Sequence, residues 1–234
     1  MNFFLIYLVL TNNMSLLFLT TIAPSVLLIY YFFTSDKYRE PLSSVLKITF
    51  YGVLICLPAV YGNQFAASFL GWKVASFTGV PMVEEGLKFL IFYKIVCASK
   101  EYDEPMDAIV YAVCISLGFA TLENIQYVYN LSLPSEAMLT AIIRGFTAVP
   151  AHALFGLTMG LLFINYSYIK KSNYNLFLCF LYPAALHGSY NFLVGYTNIL
   201  LVILFLFFSW KIQLSKFKII KEIQDNRKDY NKVE

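Results

Sequence analysis

Two adjacent glutamates, Glu84 and Glu85, with Lys88 one turn further on, sit near the middle of Phe77–Val96, FTGVPMVEEGLKFLIFYKIV. The stretch is otherwise apolar and long enough to cross a bilayer as a helix. An ionisable group at the bilayer centre costs between about 2.5 and more than 10 kcal/mol, depending on how it is measured, and spanning does not require one. Other apolar stretches are interrupted in the same way: by Asp107, Tyr111, Glu123 and Asn124, then by Arg144, Pro150 and His152, then by His187 and Asn191. A glutamate in a low-dielectric setting can take a proton from water near neutral pH. Imidazoles orient that water or pass the proton onward, and an Asn amide donates to an oxyanion growing on an attacked carbonyl. A carboxylate, two imidazoles and an amide therefore suit peptide hydrolysis without a Ser or Cys nucleophile. The same residue types could hold Zn²⁺, through Glu84, His152 and His187, but no HExxH helix is present, so metal is the second reading and no cofactor the first.

Spacing separates the roles. Residues three or four apart share a helix face, so Glu84 and Lys88 share one, as do His187 and Asn191, and Glu85 also reaches toward Lys88. Glu84 and Glu85 diverge by about 100°. One can face a cavity while the other meets a cation, Lys88 or Arg144. Singly, each group has a structural reading as a hydrogen-bonding link between helices. Glu123 and Asn124 divide evenly between the two readings, Arg144 neutralises an acid, and Asp107 caps a helix or is solvated. Glu84, Glu85, His152, His187 and Asn191 together call for a common purpose.

The elements that position them are membrane helices. Of the 234 residues 59% are hydrophobic and 13% charged, against about 25% charged in a soluble domain. The apolar runs predict an all-α polytopic bundle of about seven spans: Met14–Phe33, Ser43–Tyr61, Val74–Val96, Met106–Tyr129, Met138–Ile164, Leu176–Val194 and Asn198–Trp210. Gly62–Lys73 reads as a connector. Residues 1–214 form one helical domain and 215–234 a charged tail; the first ten residues are apolar but lack the basic start of a signal peptide. Lys37, Arg39 and Lys47, then Lys94 and Lys100, then Lys170 and Lys171, then the tail fall on alternate connectors. That alternation places the N-terminus outside and the C-terminus in the cytoplasm. Counting along the spans puts Glu84 and Glu85 roughly 15 Å, and His152 roughly 20 Å, below the outer ends of theirs. The net charge of +3 resides in the tail, which suits an anionic membrane face and not nucleic acid. Cys56, Cys97, Cys114 and Cys179 show no CxxC spacing and read as small hydrophobes.

In order along successive spans, Glu84-Glu85-Gly-Leu-Lys88, Gly118-Phe-Ala-Thr-Leu-Glu123-Asn124, then Arg144, Pro150 and His152, then His187-Gly-Ser-Tyr-Asn191 resemble the PrsW family of intramembrane proteases. Ala23-Pro24, Tyr30, Tyr31, Asp36 and Glu40-Pro41 resemble that family's first span and loop, so the likeness runs to about Val194. The family is similar in turn to the prenyl endopeptidase and bacteriocin-immunity superfamily. The resemblance implies a plasma-membrane endopeptidase of a bacterium. On that resemblance Glu84 is expected to be the base, Glu85 its partner, His152 and His187 to hold the water and Asn191 to be the oxyanion donor, with Lys88, Glu123, Asn124 and Arg144 in support. Where the prenyl endopeptidases have Phe-x-x-x-His, Ala148 stands four before His152, and their Arg after the paired acids lies one position beyond Lys88; the PrsW-like assignment fits better. It implies a membrane-anchored protein substrate, an anti-sigma factor in the family's usual role. A metal-dependent protease, a proton-coupled transporter and an inactive scaffold or immunity protein are the alternatives; no internal repeat supports the transporter.

Overall fold

The computed structural model describes residues 13–99 and 101–226; the apolar first ten residues, Lys100 and residues 227–234 of the tail lie outside them. Among the described residues the secondary structure is helical throughout: α1 (Met14–Ser35), α2 (Leu42–Ala75), α3 (Gly79–Ala98), α4 (Pro105–Tyr129), α5 (Pro134–Phe146), α6 (Ala148–Ile164), a π-helical turn (Asn165–Ile169), α7 (Asn173–Tyr196) and α8 (Ile199–Asn226). Six helical stretches are long and apolar enough to cross a membrane, with α5, α6 and the π-turn counted as one. Helix α3, twenty residues long, falls outside that set because it carries Glu84, Glu85, Lys88 and Lys94. It lies among the others and completes seven.

Helix α4 is the core. Every residue from Met106 to Ala120 is buried, as befits a helix that is apolar all round. Helices α1, α2 and α6 pack directly on it, while α7 bridges α6 and α3. Small residues set these distances. A Cβ on Gly52 would lie 2.1 Å from the Ile115 carbonyl oxygen, and one on Gly118 2.1 Å from that of Thr49, so α2 and α4 cross backbone to backbone. Gly160 does the same for α6 against Ala108 of α4. Backbone contact of this kind drives helix association where water supplies no hydrophobic force.

Three boundaries differ from the sequence reading. The expected connector Gly62–Lys73 is helical and continues α2 to Ala75, with a bend at Gly71 (φ 71°, ψ 147°), a conformation glycine tolerates. The expected fifth span breaks at Thr147, between α5 and α6. Pro150 explains it: a proline ring clashes with the carbonyl four residues back, at Phe146, the last residue of α5. The last helix runs unbroken to Asn226, because Gln213, Phe217 and Gln224 are buried on one face while Lys216 and Lys218 point out.

That extension is clamped at the basic end of the bundle. Gln224 Nε2 donates to Asp36 Oδ1 (2.7 Å) and to Glu104, while Gln224 Oε1 accepts from the Lys37 amide (3.1 Å). Asp107, buried rather than solvated, accepts from the Glu104 amide (2.9 Å) and closes a capping box at the start of α4. Burial, then the charge of Asp36, raises Glu104 to about 7. Its value in the folded chain thus exceeds the ordinary 4.5, so this clamp is fully supported below pH 4.5 and weakens as pH rises through about 7. A spin label at Asp225 should gain mobility between about pH 6 and 8 in the natural sequence and stay immobile in Glu104→Gln. At the α2–α4 crossing, Gly118→Val should lower stability by about 3 kcal/mol in detergent unfolding. Gly195→Ala, with nothing within 4 Å of the added Cβ, should stay within about 0.5 kcal/mol.

Candidate active site

Glu84 and Glu85 leave α3 in different directions, and the division between them organises the site. Helix α3 begins at Gly79, with Pro81 in the first turn where no backbone donor is needed. The glutamates therefore lie only five residues, about 8 Å, from that end, closer than the expected 15 Å. Glu85 and Lys88 are wholly buried. Lys88 meets Glu85 and not Glu84: its Nζ is 2.7 Å from Glu85 Oε1, 2.9 Å from His152 Nδ1 and 4.2 Å from the centre of the Phe119 ring.

The hydrogen bonds fix the tautomers. An ammonium only donates, so His152 Nδ1 accepts, and the ring proton lies on Nε2, which donates to Glu123 Oε2 (3.0 Å). Arg144 donates to the same Glu123 oxygen (2.8 Å) and to Asn124 Oδ1 (2.7 Å), and Asn124 donates to the Thr21 carbonyl (2.8 Å). His187 Nδ1 donates to Glu85 Oε1 (3.0 Å), which leaves its Nε2 uncommitted to Glu85, and the ring stacks on Phe155 with centroids 4.9 Å apart. Arg144, Glu123, His152, Lys88, Glu85 and His187 thus form one chain of contacts through α5, α4, α6, α3 and α7. Ser116 helps hold α6 in register by donating to the His152 carbonyl (2.6 Å).

Glu84 stands beside this chain. Its Oε1 accepts from Asn63 Nδ2 of α2 (2.9 Å); its Oε2 is buried without a partner, 3.9 Å from His187 Nε2. Both residues line a cavity of about 470 Å³ between α2, α4, α6 and α7, to which Glu123, Arg144, His152 and Asn191 also contribute. Two groups 3.9 Å apart are too far for a direct bond and well placed to share one water. Asn191 Nδ2 donates to the Ser76 carbonyl (2.8 Å), leaving its second N–H for another acceptor.

Metal binding is the other use of such donors. A catalytic zinc takes three protein ligands and a water. Glu84 Oε2 and His187 Nε2 offer two, but His152, the third expected ligand, has one nitrogen on the Lys88 ammonium and the other on Glu123. The donors as arranged do not make a three-ligand site. Among the described residues, the three such side chains whose donor atoms lie within 4.8 Å of one another are Asp36, Glu104 and Asp107, at the basic end.

The structure brings together Glu84, Glu85, Lys88, Glu123, Asn124, Arg144, His152, His187 and Asn191, with Glu85, Lys88 and Asn124 behind the cavity wall, whereas Asp107 and Tyr111 lie apart, at the basic end. It adds Asn63, hidden because its stretch reads as a connector, although Asn63-Gln64 is a polar interruption of the apolar run AVYGNQFAASF. It also adds Phe155 beneath His187, and Tyr127, whose ring centre lies 3.9 Å from the Arg144 guanidinium.

Apolar helices closed around a paired-acid, two-histidine site define a multi-pass membrane protein equipped for chemistry within the bilayer. The chain belongs to the PrsW family: a family model described as PrsW family intramembrane metalloprotease matches residues 40–212. Protease PrsW of Geobacillus kaustophilus (strain HTA426) is 39% identical over 178 residues, covering 74% of this chain and 77% of that one. Those of Bacillus subtilis (strain 168) and Clostridioides difficile (strain 630) are 34% and 31% identical over 215 residues, covering 84% and 86% of this chain and 92% and 90% of theirs. No solved structure matches. The protein is a bacterial, multi-pass membrane protease.

The two glutamates should respond differently to neutralisation. Glu85→Gln strands the Lys88 ammonium and should destabilise the bundle by about 3–5 kcal/mol. Glu84→Gln breaks no Lys or Arg pair and should shift unfolding in detergent by less than about 1 kcal/mol.

Proposed function

We propose that the protein hydrolyses peptide bonds of membrane-anchored proteins with a water activated by Glu84, without a metal. The observation that carries this reading is a pair of atoms on two cavity-lining residues, the unpartnered Glu84 Oε2 and His187 Nε2, 3.9 Å apart. A water held by both gives one proton to Glu84 as its oxygen attacks the scissile carbonyl carbon. His187 accepts the water's other hydrogen and fixes its orientation, while Glu85 fixes the ring through Nδ1, the part an acid plays behind a catalytic histidine. The carbonyl π electrons move to oxygen, and the free N–H of Asn191 stabilises that oxyanion. Glu84 then returns its proton to the departing amine as the C–N bond breaks, so the carboxylate is regenerated.

His152 faces the cavity with both nitrogens engaged, and its role is to carry the Lys88–Glu123 linkage rather than to touch the water. The basic loops Lys37–Arg39 and Lys170–Lys171 favour an orientation with that end in the cytoplasm and the cavity toward the outer half of the bilayer. An anti-sigma factor is the substrate that the family resemblance implies.

Glu84→Gln should reduce cleavage by at least about 100-fold with normal membrane expression, the contribution of a general base. Comparing membrane proteomes of cells carrying either form should show the substrate intact in the variant; full-rate cleavage by Glu84→Gln would remove Glu84 as the base. Purified protein should keep its rate in a strong chelator. Activity lost to chelation and restored by Zn²⁺ would instead establish a metal, with Lys88 displaced from His152.

A further inference from the structure

The cavity reaches exposed residues of α2 and α4, Gln64 and Tyr127, and its walls there are not lipid-like. Helices α2 and α4 touch backbone to backbone at Gly52 and Gly118, toward the basic end. Beyond that crossing α2 follows α3 instead: a Cβ on Gly62 would lie 2.6 Å from Val83, and one on Gly79 2.7 Å from Ala66. Helices α2 and α4 therefore part, and the cavity fills the cleft between them. Gln64 is exposed on one lip and Tyr127 on the other. The walls carry carboxamides, Asn63 and Gln64 on α2 and Gln126 on α4. Asn63 Oδ1 is buried without a partner, and among the described residues the Gln64 and Gln126 side chains find none.

We infer that this cleft is the lateral entry and docking surface for an extended segment of a membrane-anchored polypeptide, whose backbone N–H and C=O groups the carboxamides of Asn63, Gln64 and Gln126 bind. The inference rests on the peptide-hydrolase reading and names how its substrate is held. Acyl chains offer these amides no hydrogen bonds. A transmembrane helix offers none either, because its backbone groups are satisfied within the helix. An unwound stretch presents a donor and an acceptor at each residue along a rise of about 3.3 Å, and side-chain amides supply both complements. The cleft leads directly to Glu84, which lines the same cavity and accepts from Asn63 Nδ2 (2.9 Å). Recognition is then of backbone rather than sequence: the substrate feature read here is a helix that ends or breaks within the membrane.

Photo-cross-linking separates this idea from the chemistry. Benzoylphenylalanine is placed at Gln64, at Gln126 or, as a lipid-facing control, at exposed Leu27 of α1, each in full-length Glu84→Gln protein in nanodiscs. One biotinylated probe has a span of about twenty leucines continued by a Gly-Ser segment; the other is leucine throughout and helical. The Gly-Ser probe should label positions 64 and 126 well above 27, and above the helical probe. Equal labelling at 27, equal labelling by the helical probe, or no labelling at 64 and 126 overturns the cleft. Cleavage of the Gly-Ser probe by the natural sequence is scored separately. Cross-links without cleavage would count against the hydrolase reading and leave the cleft standing; cleavage without cross-links would do the reverse. In a cleaving system, Gln64→Leu with Gln126→Leu should raise KM about tenfold, the worth of two modest hydrogen bonds, with the loss falling on KM rather than kcat. A loss confined to kcat would overturn the docking role.

Discussion

Lys88 is an ammonium with no access to solvent, and a buried ammonium has to be paired. Most of the polar architecture follows from that requirement. Glu85 neutralises it from the same helix, His152 accepts from it across the bundle, and the face of Phe119 lies beneath it. His152 is then left with an N–H at Nε2, which donates to Glu123, and the Glu123 charge is met by Arg144. This series of contacts holds two basic side chains, Lys88 and Arg144, and two carboxylates to match, Glu85 and Glu123. Glu84 is the fifth charge, the carboxyl without a Lys or Arg partner. That count, rather than any property of glutamate itself, leaves one member of the adjacent pair without a Lys or Arg partner.

The same accounting explains which parts of the site could be read from the sequence. That the two glutamates diverge follows from 100° per residue, and that one of them meets a cation follows from burial. Which one does depends on where α6 and α7 stand around α3, which no local spacing reveals; Lys88 is four from Glu84 and three from Glu85, and both spacings permit a pair. The spans themselves were legible because apolar runs of membrane length have few other uses. Their ends were less so. Gly62–Lys73 carries Asn63, Gln64, Ser68 and Lys73, and that polarity reads as an interfacial connector until the cavity is seen to lie beside it. The break at Thr147 was written in Pro150, yet a membrane helix can also carry a proline within it, as it does at Pro24, Pro58 and Pro183 here. At Pro150 the helix does break, and α5 ends on Arg144–Phe146 with the guanidinium on Glu123.

Rigidity and openness are divided along the bundle axis. At the basic end the helices are fastened: α2 to α4 through Gly52 and Gly118, α6 to α4 through Gly160, and α8 to the loops before α2 and α4 through Gln224. Glycine contacts of this closeness leave no freedom for the helices to slide. At the other end α2 bends at Gly71, α4 stops at Tyr129, and the polar cavity lies between them. A hydrolase working in a bilayer needs both conditions together. Its charges must be held in a dry, unyielding frame, because a stranded ion in low dielectric is so unfavourable; its substrate and its water must nonetheless reach them. Placing the charged chain just above the level where the helices are locked, and just below the level where they part, meets the two demands with one set of helices. The glycines that bring α2 and α4 together at their crossing are thus part of the same device as the carboxamides that line the cleft beyond it. Removing the close contact would not only loosen the bundle; it would erase the difference between its closed and open halves, on which the proposed entry to Glu84 rests.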